Sequence, residues 1–265
     1  MKRLFATLAL AAVFAAPARA EDVVLYAAGS LSGAFGEVAA TFTAATGVAV
    51  KAAFGPSGLM RERIEAGEGA HLLASADMGH PRRLVAEGRA EGVIRFTGNR
   101  LCAMAPPAVG LTADNLLDKA LDPQLRLGTS TPKADPAGDY AWAMFERAES
   151  LRPGAEAALK AKARQLVGGP TSEKIPAGKS AVPYMFETGR ADLFVAYCTT
   201  GKAAADAGVA LTLVELPPAL AQTADYGLVV LKGAPRDADR FALFLLSESG
   251  QAVLGKWGFA VTTAR

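Results

Sequence analysis

Strand-length apolar runs alternate with helix-length stretches along the chain, and glycine, serine or proline marks each switch. Val23 to Ala28 is apolar and of strand length, and it breaks at Gly29-Ser30. Leu31, Phe35, Val38, Ala39 and Phe42 then recur at helical spacing until Gly47 closes the segment. Val48–Phe54 reads as the next strand, 55–58 as a turn and Leu59–Ala66 as a helix. His71–Ser75 returns as a strand before a helix opened by Pro81. Such an order predicts an α/β fold, a mostly parallel sheet covered by helices.

The middle of the chain repeats the pattern. A short strand at 126–128 leads to the turn Asp135-Pro136-Ala137-Gly138, a helix over 140–149 carrying Trp142 and Phe145, and a second helix predicted over 155–166. A glycine- and proline-rich loop follows at 168–178, then a helix at 180–187 and a strand at 191–197. From Tyr226 onward the pattern predicts one strand and two helices. Trp142, Trp257 and the phenylalanines read as core.

The first twenty residues constrain the compartment. Lys2 and Arg3 precede an almost unbroken apolar run from Leu4 to Ala16, and Ala18-Arg19-Ala20 supplies small residues on either side of an arginine before Glu21. That is the layout of a cleaved secretory signal at 1–20, too short and wrongly flanked for a membrane span. No cysteine follows the cleavage point, which argues against a lipid anchor. The segment carries three bases and no acid, so its removal would leave 245 of the 265 residues, with 25 bases against 26 acids, and turn the net +2 into −1. A near-neutral surface gives no reason to expect nucleic acid or a membrane as partner. The length suits two modest domains. Cys102 and Cys198 fit no metal spacing. Both fall in apolar segments that read as strands. Two buried thiols is the simpler reading, and a disulfide, which an exported protein can form, stays open.

Three turns share one property. Gly29-Ser30, Pro56-Ser57-Gly58 and Pro136-Ala137-Gly138 each lie between a strand and a helix. Unpaired backbone N–H groups and the positive end of the helix dipole gather at such places, and serine adds a hydroxyl donor. Each serine alone reads as a helix cap. Several such ends aimed at one cleft would hold an anion without arginine or lysine.

These residues resemble the bacterial periplasmic molybdate-binding proteins of ABC importers over nearly the whole of the chain after residue 20. The resemblance rests on Tyr26-Ala27-Ala28-Gly29-Ser30-Leu31, Phe54 to Ser57, Ile64-Glu65-Ala66-Gly67, Ala74-Ser75-Ala76-Asp77, Asp135 to Gly138, Glu187 through Tyr197, and Gly258-Phe259, in order and spacing. It implies a two-lobed type II periplasmic binding protein fold with the ligand between lobes. Lobe one would be 21–103 plus 227–265, and lobe two 104–226. The resemblance also implies contacts from the hydroxyls of Ser30, Ser57 and Tyr197 and from the amides of Ala137 and Lys179. A one-residue slip would move the last to Ser180. The ligand would be molybdate or tungstate, with no cofactor and no free metal cation. The partner would be an inner-membrane ABC permease, and the receptor a periplasmic monomer. A fully deprotonated dianion only accepts hydrogen bonds, so a cage of donors suits it. Sulfate has the same charge and shape and would be separated by size.

Departures from the family pattern are the serine-poor turn at Pro56, the charge of Lys179, whose side chain reads as pointing to water, and Cys198 beside Tyr197. A related archaeal group completes six-fold coordination with two carboxylates. Asp135 matches one of them, but Ala196 occupies the second position, so that chemistry is not expected. Within the binding class, sulfate or another oxyanion and a sensing rather than transport role are the alternatives. An enzyme is the rival of another class. Residues 55–59 approach a nucleophile elbow but lack its final glycine, and residues before Lys179-Ser180 lack the first glycine of a phosphate loop. His71 and His80, the available imidazoles, read as structural. An iron site would want clustered tyrosines or carboxylates, and Tyr197 shows no tyrosine partner in the sequence.

Overall fold

The computed structural model describes residues 21–176 and 178–262, so the signal reading at 1–20 lies outside the described residues. In chain order the elements are β1 (Val23–Ala28), α1 (Ser32–Thr46), β2 (Val50–Gly55), α2 (Ser57–Glu65), β3 (Leu72–Ser75), α3 (Gly79–Ala86) and β4 (Ile94–Ala105). Then come α4 (Leu116–Leu121), β5 (Leu127–Ser130), α5 (Pro136–Leu151), α6 (Ala155–Lys162), β6 (Arg164–Val167), α7 (Ala181–Glu187) and β7 (Leu193–Tyr197). The last are α8 (Cys198–Asp206), β8 (Thr212–Glu215), β9 (Thr223–Val230), α9 (Arg236–Leu246) and α10 (Glu248–Lys256). Among the described residues no helix is long and apolar enough to cross a membrane.

The strands form one path, β2-β1-β3-β9-β4-β7-β5-β6, with β8 on the edge of β4. The expected mostly parallel sheet is in fact mixed. β1 runs parallel to β2 and β3, and β5 parallel to β6 and β7. However, β9 is antiparallel to β3 and β4, and β4 is antiparallel to β7 and β8. The reason is that β4 and β9 serve both halves of the sheet. Ile94 to Arg100 pairs with β9, whereas Leu101 to Met104 pairs with β7. The two parallel groups run in opposite directions, so any strand between them must run against one of them.

Side-chain alternation explains how each strand is covered on two faces. In β1, Val23, Leu25 and Ala27 join the main core with Phe35, Phe42, Phe96 and Phe241, while Tyr26 turns to a second cluster with Met60, Ile64 and Leu84. A third cluster under the other half holds Cys102, Met104, Met185 and Phe194. The stripe predicted for α1 is the buried one, and Gly47 closes it at φ +74°, a left-handed conformation that glycine adopts without steric cost. Helix α5 starts where Asp135 caps the Ala137 N–H and Pro136 occupies the first helical position.

One local expectation is corrected and one open alternative is decided. The helix foreseen over 155–166 stops at Lys162, because Ala163 turns extended and Arg164 pairs with Gly128 to begin β6. The two cysteines are bonded, with Cα atoms 4.9 Å apart, and Cys198 opens α8 rather than lying in a strand.

Candidate functional site

The C-terminal ends of β1, β2 and β3 face those of β5, β6 and β7 across a cleft of about 630 Å³. Ser30, Ser57, Ala137, Lys179 and Tyr197 all line it, with Ser130, Asp135, Ser180, Thr199 and Trp257. The helices that follow β1, β2, β5, β6 and β7 begin at the cleft, so backbone dipoles converge there as in α/β sheets that bind ligands at strand ends. The two walls touch beside it. The Gly58 N–H donates to the Ala134 carbonyl at 2.9 Å, and the Tyr197 hydroxyl reaches the Ala76 carbonyl at 3.4 Å.

The serines are held by bonds other than those they would give a ligand. Ser57 is 1% exposed, and its Oγ accepts the Ala76 N–H at 3.1 Å. That leaves its own proton to donate. Ser30 Oγ lies 2.9 Å from the hydroxyl of Tyr226. Tyr197 is buried, and burial, followed by the neighbouring Tyr226, Asp135 and Tyr140, lifts its phenol well above the ordinary tyrosine value. It is therefore a neutral donor.

The two amides have internal acceptors. Ala137 N–H bonds the Asp135 carboxylate at 3.1 Å, and Lys179 N–H bonds the Pro176 carbonyl at 3.0 Å. Lys179 Nζ pairs with Glu187 at 2.7 Å, both side chains being about half exposed. Asp135 brings a carboxyl to the donor-rich cleft. Burial raises it to about 6, against the lowering pull of the Ala137 N–H and the Ser130 hydroxyl.

Sequence reasoning did not single out Tyr226, Asn99, Ser130 or Thr199. Ser130 ends β5 just before the Asp135 turn, the same strand-end signal that marked Ser30. Tyr226 and Asn99 carry no local signal, because β9 and β4 bring them in from distant sequence. Tyr197 does have tyrosine neighbours: the rings of Tyr226 and Tyr140 lie 5.6 and 6.3 Å away. Trp257, read as core, also lines the cleft, and its indole N–H bonds Glu37. The histidines make structural bonds, His71 Nδ1 accepting the Val24 N–H at 3.0 Å and His80 Nδ1 meeting Arg61 at 3.0 Å. Among the described residues no group of three or more His, Cys, Asp or Glu could hold a metal ion.

Comparison with known proteins agrees with this architecture. An uncharacterized protein, PM1146, of Pasteurella multocida (strain Pm70) is 44% identical over 151 residues, covering 57% of this chain and 63% of that protein. The molybdate-binding protein ModA of Rhodobacter capsulatus is 32% identical over 152 residues, covering 55% and 59%. The chain spans between 57% and 63% of the length of the curated relatives it matches. Among solved structures, the periplasmic molybdate-binding protein of Azotobacter vinelandii superposes with a TM-score of 0.73 at 18% identity, covering 91% of this chain and all of that one. The fold is therefore that of the type II periplasmic binding proteins. Residues 23–260 match the bacterial extracellular solute-binding proteins as a family, and the chain belongs to it.

Proposed function

We propose that this protein is the periplasmic receptor of an ABC importer and captures a tetrahedral oxyanion, molybdate or tungstate, in the cleft between two lobes. The observation that carries the reading is the convergence of Ser30, Ser57 and Tyr197, three neutral hydroxyls, on one cleft bordered by helix starts. Such a site neutralises an anion with oriented dipoles rather than with a cation. Lys179, the one lysine or arginine among the described residues that line the cleft, spends its charge on Glu187.

The lobes would be 21–103 with 227–265, and 104–226, closing about β4 and β9. The exchange of partners along β4 after Arg100 supports a hinge there. Residues 1–20 would direct export, and the disulfide suits an oxidising compartment. The partner would be a membrane permease, and the receptor a monomer.

Calorimetry of residues 21–265, freed of anion, tests the reading with molybdate, tungstate, sulfate and phosphate in turn. Tight binding of the first two over sulfate and phosphate is expected. Preference for sulfate would move the assignment to that ion. Ser57→Ala and Tyr197→Phe should each weaken binding about tenfold or more, the usual range for a hydrogen bond to a charged group. Unchanged affinity in both would remove these residues from the site.

Asp135 gives a pH test. In the free protein it is a carboxylate above about 6 and neutral below. A bound dianion raises its affinity for a proton further, so the complex takes up protons above pH 6. Affinity should therefore rise as pH falls toward 6, by at most about tenfold per pH unit for one proton, and level off below. Asp135→Asn, which keeps the helix cap, should flatten this slope and bind more tightly at pH 8. An identical slope in the variant would exclude Asp135 as its source.

A further inference from the structure

Behind Ser30 lies a buried chain of hydrogen bonds that runs through Tyr226 to Asn99. Asn99 in β4 is 5% exposed, and its Oδ1 accepts the Arg100 backbone N–H at 2.8 Å. A backbone N–H only donates, so the atom facing it must be the amide oxygen, which settles the orientation of the amide. The two Nδ2 protons then point the other way. One goes to Thr199 Oγ1 at 2.8 Å and one to the Tyr226 hydroxyl at 3.2 Å. All the protons of the amide are thereby used. Tyr226 is fully buried, accepts from Asn99, and must place its own proton on an acceptor. Ser30 Oγ, 2.9 Å away, is an acceptor in reach, beside the neighbouring Tyr197 hydroxyl. Burial, the main cause, raises the Tyr226 phenol well above its usual value, so it stays protonated and keeps a proton to give.

We propose that Asn99, acting through Tyr226, is the positioning residue that fixes Ser30 as a hydrogen-bond donor to the cleft and so biases the site toward fully deprotonated oxyanions. This rests on the oxyanion reading above. With the Tyr226 proton on Ser30 Oγ, the serine's own proton is left for the ligand. Ser57 is set the same way by the Ala76 N–H. A hydroxyl free to rotate would instead accept a proton from hydrogen phosphate as readily as donate to molybdate. The Asn99 relay removes that choice, giving selectivity by protonation state in addition to size. Ser30 and Tyr226 come from the β1 end and β9, Asn99 from β4, and Thr199 from α8, so the relay ties together elements far apart in sequence.

The test compares Ser30→Ala, Asn99→Asp and Tyr226→Phe with the parent, measuring molybdate and hydrogen phosphate affinities at pH 7.5 by calorimetry or competition. Asn99→Asp keeps the shape but accepts where Asn99 donates. Tyr226 would then give its proton to the carboxylate, and Ser30 would give its own to Tyr226. The added charge weakens both anions alike, so the ratio of the two affinities reports the direction of the Ser30 hydroxyl. Expected are a loss of about tenfold in molybdate affinity for Ser30→Ala and a fall of about fivefold or more in the molybdate-to-hydrogen phosphate ratio for Asn99→Asp. Tyr226→Phe, which frees Ser30 to rotate, should lower the same ratio and carries the test if Asn99→Asp does not fold. A Ser30→Ala loss with the ratio unchanged in both other variants would overturn the relay while leaving the oxyanion site standing. No loss in Ser30→Ala would overturn the site at Ser30 and the relay with it.

Discussion

On the proposed oxyanion reading, a Gly58→Val protein is expected to fold as the parent does and to lose most of its affinity for the anion. Gly58 is the second residue of α2, and its backbone shows no left-handed torsion, so a side chain costs nothing locally. The obstacle is across the cleft. A Cβ at this position would lie 2.7 Å from the Lys133 carbonyl oxygen, 2.8 Å from that of Ala134 and 3.1 Å from Ala134 Cα. All three are backbone atoms, which cannot swing aside as a flexible side chain would. The Gly58 N–H bond to Ala134 at 2.9 Å would open at the same time. A lost hydrogen bond costs about 1 kcal/mol and overpacking about 1–3 kcal/mol more. Together these amount to about 30-fold to 1000-fold in affinity if they fall on the closed form alone. Gly58→Ala should show the same effect more mildly, while gaining helix propensity of about 1 kcal/mol in the open form. Calorimetry would read the affinity, and small-angle scattering with saturating molybdate would read the shape. A variant that binds and compacts like the parent would show that Gly58 does not gate closure.

Removing the Cys102–Cys198 bond should cost far more stability than any change at the cleft. The bond joins residues 96 apart. In the chain-entropy account, a cross-link closing a loop of that length destabilises the denatured chain by about 4–5 kcal/mol. For a protein of this size each kcal/mol lowers the melting temperature by about 2–4 °C, so Cys102→Ser with Cys198→Ser should melt about 10–20 °C lower. Calorimetric or circular dichroism melts of the oxidised protein, the reduced protein and the double variant check this. Coincident melts of all three would show that the cross-link contributes nothing to stability. The bond also pins β4 to the first turn of α8, directly after Tyr197. Saturating molybdate should therefore recover part of the lost melting temperature, since a ligand that binds only the folded state raises its stability by mass action.

What the amino-acid sequence determined by itself was local. The apolar spacing from Leu31 to Phe42, Gly47, and the Asp135-Pro136 start of α5 dictate their structures through backbone torsion, capping and side-chain periodicity. Those effects act within a few residues and so can be read from one stretch of chain. Ser30 and Ser57 were legible for the same reason, as small polar residues between a strand and a helix. The helix foreseen over 155–166 shows where this runs out. Its last residues satisfy their backbone by pairing with β5, a partner some 36 residues earlier that no local pattern reveals. The antiparallel insertion of β4 and β9, and the choice between thiols and a disulfide, depended likewise on which segments meet. The cleft's finer chemistry was decided only there. Asn99, Tyr226 and Ser30 lie up to 196 residues apart, yet their hydroxyls and amide form one hydrogen-bonded chain. Gly58 matters because of two carbonyls on the opposite wall. Sequence sets the conformations a segment prefers; tertiary contact sets which donors face which acceptors, because hydrogen bonding and excluded volume act over a few ångströms in space, whatever the distance along the chain.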